Sequence, residues 1–215
     1  MEFERLQFGA CRVMLADVTP LLDEGVFQQL LPTVSSERQE TALRYKFAKG
    51  RALSLGAALT LDKLLQDRGL RERDQHYLQG AHGKPSLAAH PEIHFNLSHT
   101  SHFVVCAVAD VEIGIDIQHV VNVGDAVMQR VLSAAELQAV EQQSDERSRN
   151  ELFARLWALK ESYVKAVGTG ITDDFPAFSV AGDTPRLVNR AGNFRFHEFE
   201  FSDGKGALCV VNDLI

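Results

Sequence analysis

Asp116 and Glu161 are two acids from distant parts of a 215-residue chain, and Lys165 follows the second by one helical turn. Side chains four apart lie on one face of a helix, so Glu161 and Lys165 can act on one spot. Glu before Lys at this spacing is equally the favourable order for a solvent-exposed pair worth a few tenths of a kcal/mol. The helix alone therefore implies no site; a second carboxylate has to reach the same place. The stretch EIGIDIQHV (112–120) offers one. Its period of two puts Ile113, Ile115 and Ile117 on a core face, with Gly114, Asp116 and Gln118 on the other. The two carboxylates form an all-oxygen set suited to Mg²⁺, which is usually held by one or two carboxylates plus substrate phosphates. The ion would neutralise phosphate oxygens, a carboxylate would take a proton, and the lysine would stabilise a leaving group.

These residues need one helix and one strand to carry them. In FARLWALKESYVKAVGTG (153–170), Leu152, Leu156, Leu159, Tyr163 and Val167 make an apolar stripe, with Glu161 and Lys165 nearly opposite. Gly168 and Gly170 stop the helix. Gly114 leaves room for a close approach to the strand's backbone. Upstream, Phe8 to Val18 reads as a first strand, Thr19-Pro20 opens a short helix to Leu31, and Ser35 or Ser36 caps a long helix, broken near Gly50. That segment concentrates Arg38, Arg44, Lys46, Lys49 and Arg51, a solvated face or an anion site. GAHGKP (80–85) is turn chemistry; 93–97 and 103–109 are strands. Ser133 to Glu136 is a capping box for a helix to Gln143, and a polar break (QQSDERSRN) separates it from the Glu161 helix. Four strands near 178–180, 186–188, 194–201 and 207–211 follow. Both halves run from helices to strands, dividing at 112/113.

Composition narrows the function. At 45% hydrophobic and 24% charged, the chain is an ordinary globular sequence, long enough for one large domain or two small ones. A net charge of −7 disfavours a general nucleic-acid binder. Cys11, Cys106 and Cys209 are odd in number and far apart, and read as buried free thiols of a reducing compartment. No signal region and no spanning segment is visible, so a cytoplasmic protein is expected. His94, His99 and His102 lack a matched set for zinc. Ser98 and His99 point to opposite faces of their strand, which disfavours a nucleophile–base pair. A metal nuclease of the Asp, Glu-x-Lys pattern would place its last two residues on a strand, not a helical turn apart.

Phe95-Asn96-Leu97-Ser98-His99, Gly114-Ile115-Asp116-Ile117 and Trp157-x-x-Lys160-Glu161-Ser162-x-x-x-Lys165-x-x-Gly168-x-Gly170 together resemble the 4′-phosphopantetheinyl transferase superfamily, surfactin-synthetase-activating type. The GKP turn and FAKGRAL (47–53) add weaker matches, so the resemblance spans about Arg44 to Gly170. It implies an α+β monomer: a pseudo-twofold pair of similar halves (1–112 and 113–215), with coenzyme A in the cleft between them. It implies Mg²⁺-dependent transfer of phosphopantetheine from coenzyme A to a serine of an apo acyl or peptidyl carrier protein, as in holo-[acyl-carrier-protein] synthases, releasing 3′,5′-ADP. Asp116 and Glu161 would hold the metal, with Gln118 where many members have a second acid. Glu161, directly or through a water, would be the base, and Lys165 would bind the departing α-phosphate. Arg51, Lys84, Ser98 and His99, with Arg44 and Lys46 as weaker candidates, would hold the adenosine 3′-phosphate and neighbouring groups. Trp157 would pack, and Lys160 would support the motif. The segment Val120 to Leu132, with Met128 and Arg130, is the expected carrier-docking surface. Gln118 keeps open a catalytically silent coenzyme A or carrier-binding module.

Overall fold

Phe3–Phe8 (β1) and Cys11–Asp17 (β2) pair antiparallel around Gly9, whose φ of +59° suits a tight turn. The sequence shows only one strand here, because β1 is a charged sheet edge whose side chains are half-buried or exposed. The computed structural model describes residues 1–80, 82–170 and 175–211, and the chain divides into two units, Met1–Asp110 and Val111–Ile215. Both are α+β, with antiparallel sheets and helices.

In the first unit, Asp23 caps Glu24–Leu30 (α1) and Ser35 caps Ser36–Arg44 (α2) through side chains that accept from backbone N–H groups. Ala48–Gln66 (α3) follows as a separate helix, so the expected long helix breaks at Tyr45–Phe47 and not at Gly50. Gly50 instead lets the Tyr45 ring lie against α3; a Cβ there would meet the ring at 2.7 Å. Tyr77–Gln79 (β3) and Pro85–Leu87 (β4) form a small ribbon. His94–Thr100 (β5) and Phe103–Ala109 (β6) complete a sheet of order β1-β2-β6-β5. β6 is central and apolar on both faces, and α3 packs across it and β2 with Leu55, Ala58, Leu61, Leu64 and Leu65 buried.

The second unit starts with Ile113–His119 (β7). Asp125–Val131 (α4) and Ala134–Glu141 (α5) follow, the latter opened by the Ser133–Glu136 capping box with both reciprocal bonds made. Glu146–Val167 (α6) begins inside the expected polar break, because Asp145 caps it from Ser148 N–H. It ends at Gly168 in a left-handed turn, φ +75°. Ser179–Ala181 (β8) and Arg186–Val188 (β9) pair, then Phe194–Phe201 (β10) and Gly204–Val211 (β11) form a hairpin. β11 also pairs with β7, giving the order β10-β11-β7. α6 lies on this sheet and is buried well beyond the expected stripe: Leu156, Leu159 and Tyr163 are in the core, but so are Ala158, Lys160, Glu161 and Ser162, whereas Val167 is exposed. A helix laid between a sheet and a second apolar layer buries most of its circumference.

Cys11, Cys106 and Cys209 are buried free thiols, and burial pushes the Cys11 and Cys106 thiols up from their ordinary range. Among the described residues no helix is long and apolar enough to cross a membrane.

Candidate active site

The strand–helix contact sets the site. Gly114 faces α6 so closely that a Cβ would stand 2.1 Å from Ser162 O and 2.3 Å from Ala166 N. The space beside the strand backbone is therefore filled by helix, and α6 is drawn down until its side chains reach β7. Ile113, Ile115 and Ile117 are fully buried on one face, so alternation turns Asp116 and Gln118 towards α6. There Lys165 Nζ donates to Asp116 Oδ1 at 2.6 Å and to Ile115 O at 3.3 Å. Gln118 Nε2 donates to Asp116 Oδ2 at 2.8 Å.

Glu161 belongs to the same cluster. Burial pushes its carboxyl above the usual carboxylate range, and the Asp116 charge pushes the same way, against the opposing pull of Lys165 and a hydrogen bond from Trp157. Asp116 and Glu161 are only 3% and 7% exposed, so two carboxylates feel each other's charge where water screens little. Such a pair is stabilised by a cation, and its hard oxygen donors fit a divalent ion of the Mg²⁺ type. Among the described residues no three His, Cys, Asp or Glu side chains gather at one place, so the site is two acids with Gln118 and Lys165 at its edge.

Two partners were not legible in the sequence. Trp157 stands edge-to-face on Phe153 at 5.2 Å and is also the hydrogen-bond donor to Glu161, a role its i, i+4 spacing could have suggested. Lys160 is fully buried; its Nζ donates to Glu136 Oε2 at 2.8 Å and Phe178 O at 2.6 Å and lies 4.6 Å from the Phe178 ring centre. Glu136 also accepts from Ser133 N–H and Val180 N–H, both at 2.8 Å. One ion pair thus ties the start of α5, the middle of α6 and β8 together, beside Glu161.

The residues expected to hold the 3′-phosphate and neighbouring groups are all in the first unit. Arg44 ends α2, exposed and 3.6 Å from Glu40. Lys46 lies over the Phe47 ring at 5.6 Å. Arg51, in the first turn of α3, is 3.6 Å from Glu24 and 5.7 Å from the Phe27 ring centre. Lys84 stands at the turn into β4, between Gly83 with φ +80° and Pro85; Ala81 of that turn lies outside the described residues. On β5, Ser98 is buried and His99 exposed, on opposite faces of the strand. Of the two residues singled out for carrier docking, Arg130 is exposed, but Met128 is fully buried in the core, because α4 turns its apolar side inward. Met128 is thus removed from any docking surface.

The sequence is similar to those of known proteins. The sequence model of the 4′-phosphopantetheinyl transferase superfamily matches residues 112–211, a span that holds β7 to β11. The 4′-phosphopantetheinyl transferase psf-1 of Bacillus pumilus is 32% identical over 172 residues, covering 78% of this chain and 73% of that protein. The 4′-phosphopantetheinyl transferase gsp of Aneurinibacillus migulanus is 30% identical over 196 residues, covering 87% and 80%. A holo-(acyl-carrier-protein) synthase structure from Bacillus anthracis, in complex with CoA (3′,5′-ADP), is 29% identical and covers 47% of this chain and 95% of its own, at a TM-score of 0.41. With relatives this similar over most of both sequences, the chain belongs to the 4′-phosphopantetheinyl transferase superfamily.

Proposed function

We propose that this chain transfers 4′-phosphopantetheine from coenzyme A to a serine hydroxyl of an apo carrier protein, acyl or peptidyl, releasing 3′,5′-ADP. Its membership of the family supports the reaction. The observation that carries the site is the gathering of Asp116, Glu161 and Lys165 where α6 meets β7. Asp116 and Glu161 would hold Mg²⁺, with Gln118 supporting Asp116 or, its amide turned over, offering its oxygen. When bound, the ion would supply charge neutralisation on the diphosphate.

The rest falls to the chain's own side chains. Glu161, with its affinity for a proton raised by burial, is suited to take the serine proton. The serine oxygen forms a bond to phosphorus as the bond from that phosphorus to the bridging oxygen breaks. Lys165, only partly buried, stabilises the charge left on the departing phosphate. Arg51, Lys84, Ser98 and His99, with Arg44 and Lys46, bind the 3′-phosphate and adjacent groups. A pseudo-twofold pair of halves with a ligand cleft, a monomer and cytoplasmic residence belong to the same proposal. A silent binding module gains no support from the relatives, which are named as transferases.

Purified protein incubated with coenzyme A, Mg²⁺ and a panel of apo acyl and peptidyl carriers should give a phosphopantetheine adduct by mass spectrometry. Asp116→Ala and Glu161→Ala should each reduce turnover by about 10²-fold or more. Near-full activity in either variant would show the residue assignment to be wrong.

A further inference from the structure

We propose that Lys165 is a resident competitor for the cation site: its ammonium occupies Asp116 until a diphosphate draws it away, which makes metal and coenzyme A binding interdependent. The proposal deepens the reading of Asp116 and Glu161 as the metal's holders and rests on it. Lys165 Nζ donates to Asp116 Oδ1 at 2.6 Å and to Ile115 O at 3.3 Å, while Gln118 takes Oδ2 at 2.8 Å. Both oxygens of this buried carboxylate thus carry a donor. A divalent ion approaching Asp116 alone must displace an ammonium from a charge-assisted hydrogen bond, in a place where such bonds are strong. Lys165 is not locked there: its side chain is 26% exposed, against 4% for Asp116. A phosphate offers it an equivalent partner, so the loss at Asp116 is compensated only when the substrate arrives. Ion and diphosphate then each raise the other's affinity by the same factor, as linkage requires.

Removing Lys165 or a nearby control lysine separates direct occupancy from a general field effect. Lys205 is the control: it pairs in register with Gln118 on β11, one rung away on the same sheet face, but its ammonium is held by Glu200. Mn²⁺ binding to the protein without coenzyme A is followed by electron paramagnetic resonance, with Mn²⁺ as the probe for the Mg²⁺ site. Lys165→Met should bind Mn²⁺ about tenfold tighter than wild type, and Lys205→Met should bind as wild type does. Adding coenzyme A should tighten Mn²⁺ binding strongly in wild type and much less in Lys165→Met. Equal tightening in both lysine variants, or unchanged or weaker binding in Lys165→Met, overturns the proposal. Asp116→Asn distinguishes the two levels. If it leaves Mn²⁺ binding intact, the metal reading itself fails; if it abolishes binding while Lys165→Met changes nothing, only the competition fails. Wild-type protein gives a second measurement that needs no folded methionine variant. The Lys165 ammonium resonance, assigned with Lys165→Arg, should move on adding Mg²⁺ alone, and a stationary resonance at saturating Mg²⁺ overturns the proposal.

Discussion

A carboxylate packed away from water beside a second carboxylate keeps its proton to higher pH, and Glu161 is in that position. The sign of the effect on stability follows from which state lets the proton go first. Below the ordinary carboxylate range, folded and unfolded chains both carry it. As pH rises, the unfolded chain releases its proton while folded Glu161 holds on, so folding is progressively disfavoured until the pH passes the raised value. Glutamine imitates the protonated form and escapes this cost. In metal-free buffer Glu161→Gln should therefore raise the thermal midpoint by a few degrees at pH 7 to 8, and the gain should vanish near pH 4. Differential scanning fluorimetry across that range checks it; a gain that is flat with pH would mean that Glu161 does not titrate out of line. The same substitution should remove transfer activity, so stability and function are opposed at this residue.

At the scale of elements, the site depends on how closely α6 lies on β7. Gly114→Ala forces a Cβ onto Ser162 O, a backbone atom with no rotamer to escape into. Overpacking of this kind typically costs about 1–3 kcal/mol. The urea midpoint should fall at unchanged slope, and Mn²⁺ affinity should fall with it, because α6 carries Glu161 and Lys165 away from Asp116. Wild-type stability and affinity in that variant would show the contact to be dispensable. Much of this was legible in advance. The alternation of 113–118 put Asp116 and Gln118 on one face, and Gly168 marked the helix end. The helix's own burial was not legible, because a stripe counted at 100° per residue sees one apolar layer and α6 has two. Lys160 is expected to support the motif, but the sequence does not show how: only the fold supplies Glu136, 24 residues earlier, as its partner. The edge strand β1 was missed because charge at a sheet edge looks like loop sequence.

For the whole molecule, charge is unevenly shared. Residues 1–110 hold twelve Lys and Arg against thirteen Asp and Glu, whereas residues 111–215 hold ten against sixteen. The near-neutral unit contains every residue proposed to hold the 3′-phosphate, and the acidic one contains the two acids proposed for the metal. The residues proposed for the 3′-phosphate thus belong to a unit of little net charge, and those proposed for the metal to an acidic one. Exposed charges interact over about 8–10 Å at physiological ionic strength and over about 3 Å at 1 M salt. Raising NaCl from about 0.05 M to about 0.5 M at saturating Mg²⁺ should therefore raise the KM for coenzyme A several-fold, with a much smaller effect on kcat. Arg51→Gln should start from a higher KM and show a shallower dependence on salt, since it removes one of the screened charges. Parallel slopes for Arg51→Gln and wild type would take Arg51 out of the phosphate-binding set and leave the Asp116–Glu161 site untouched.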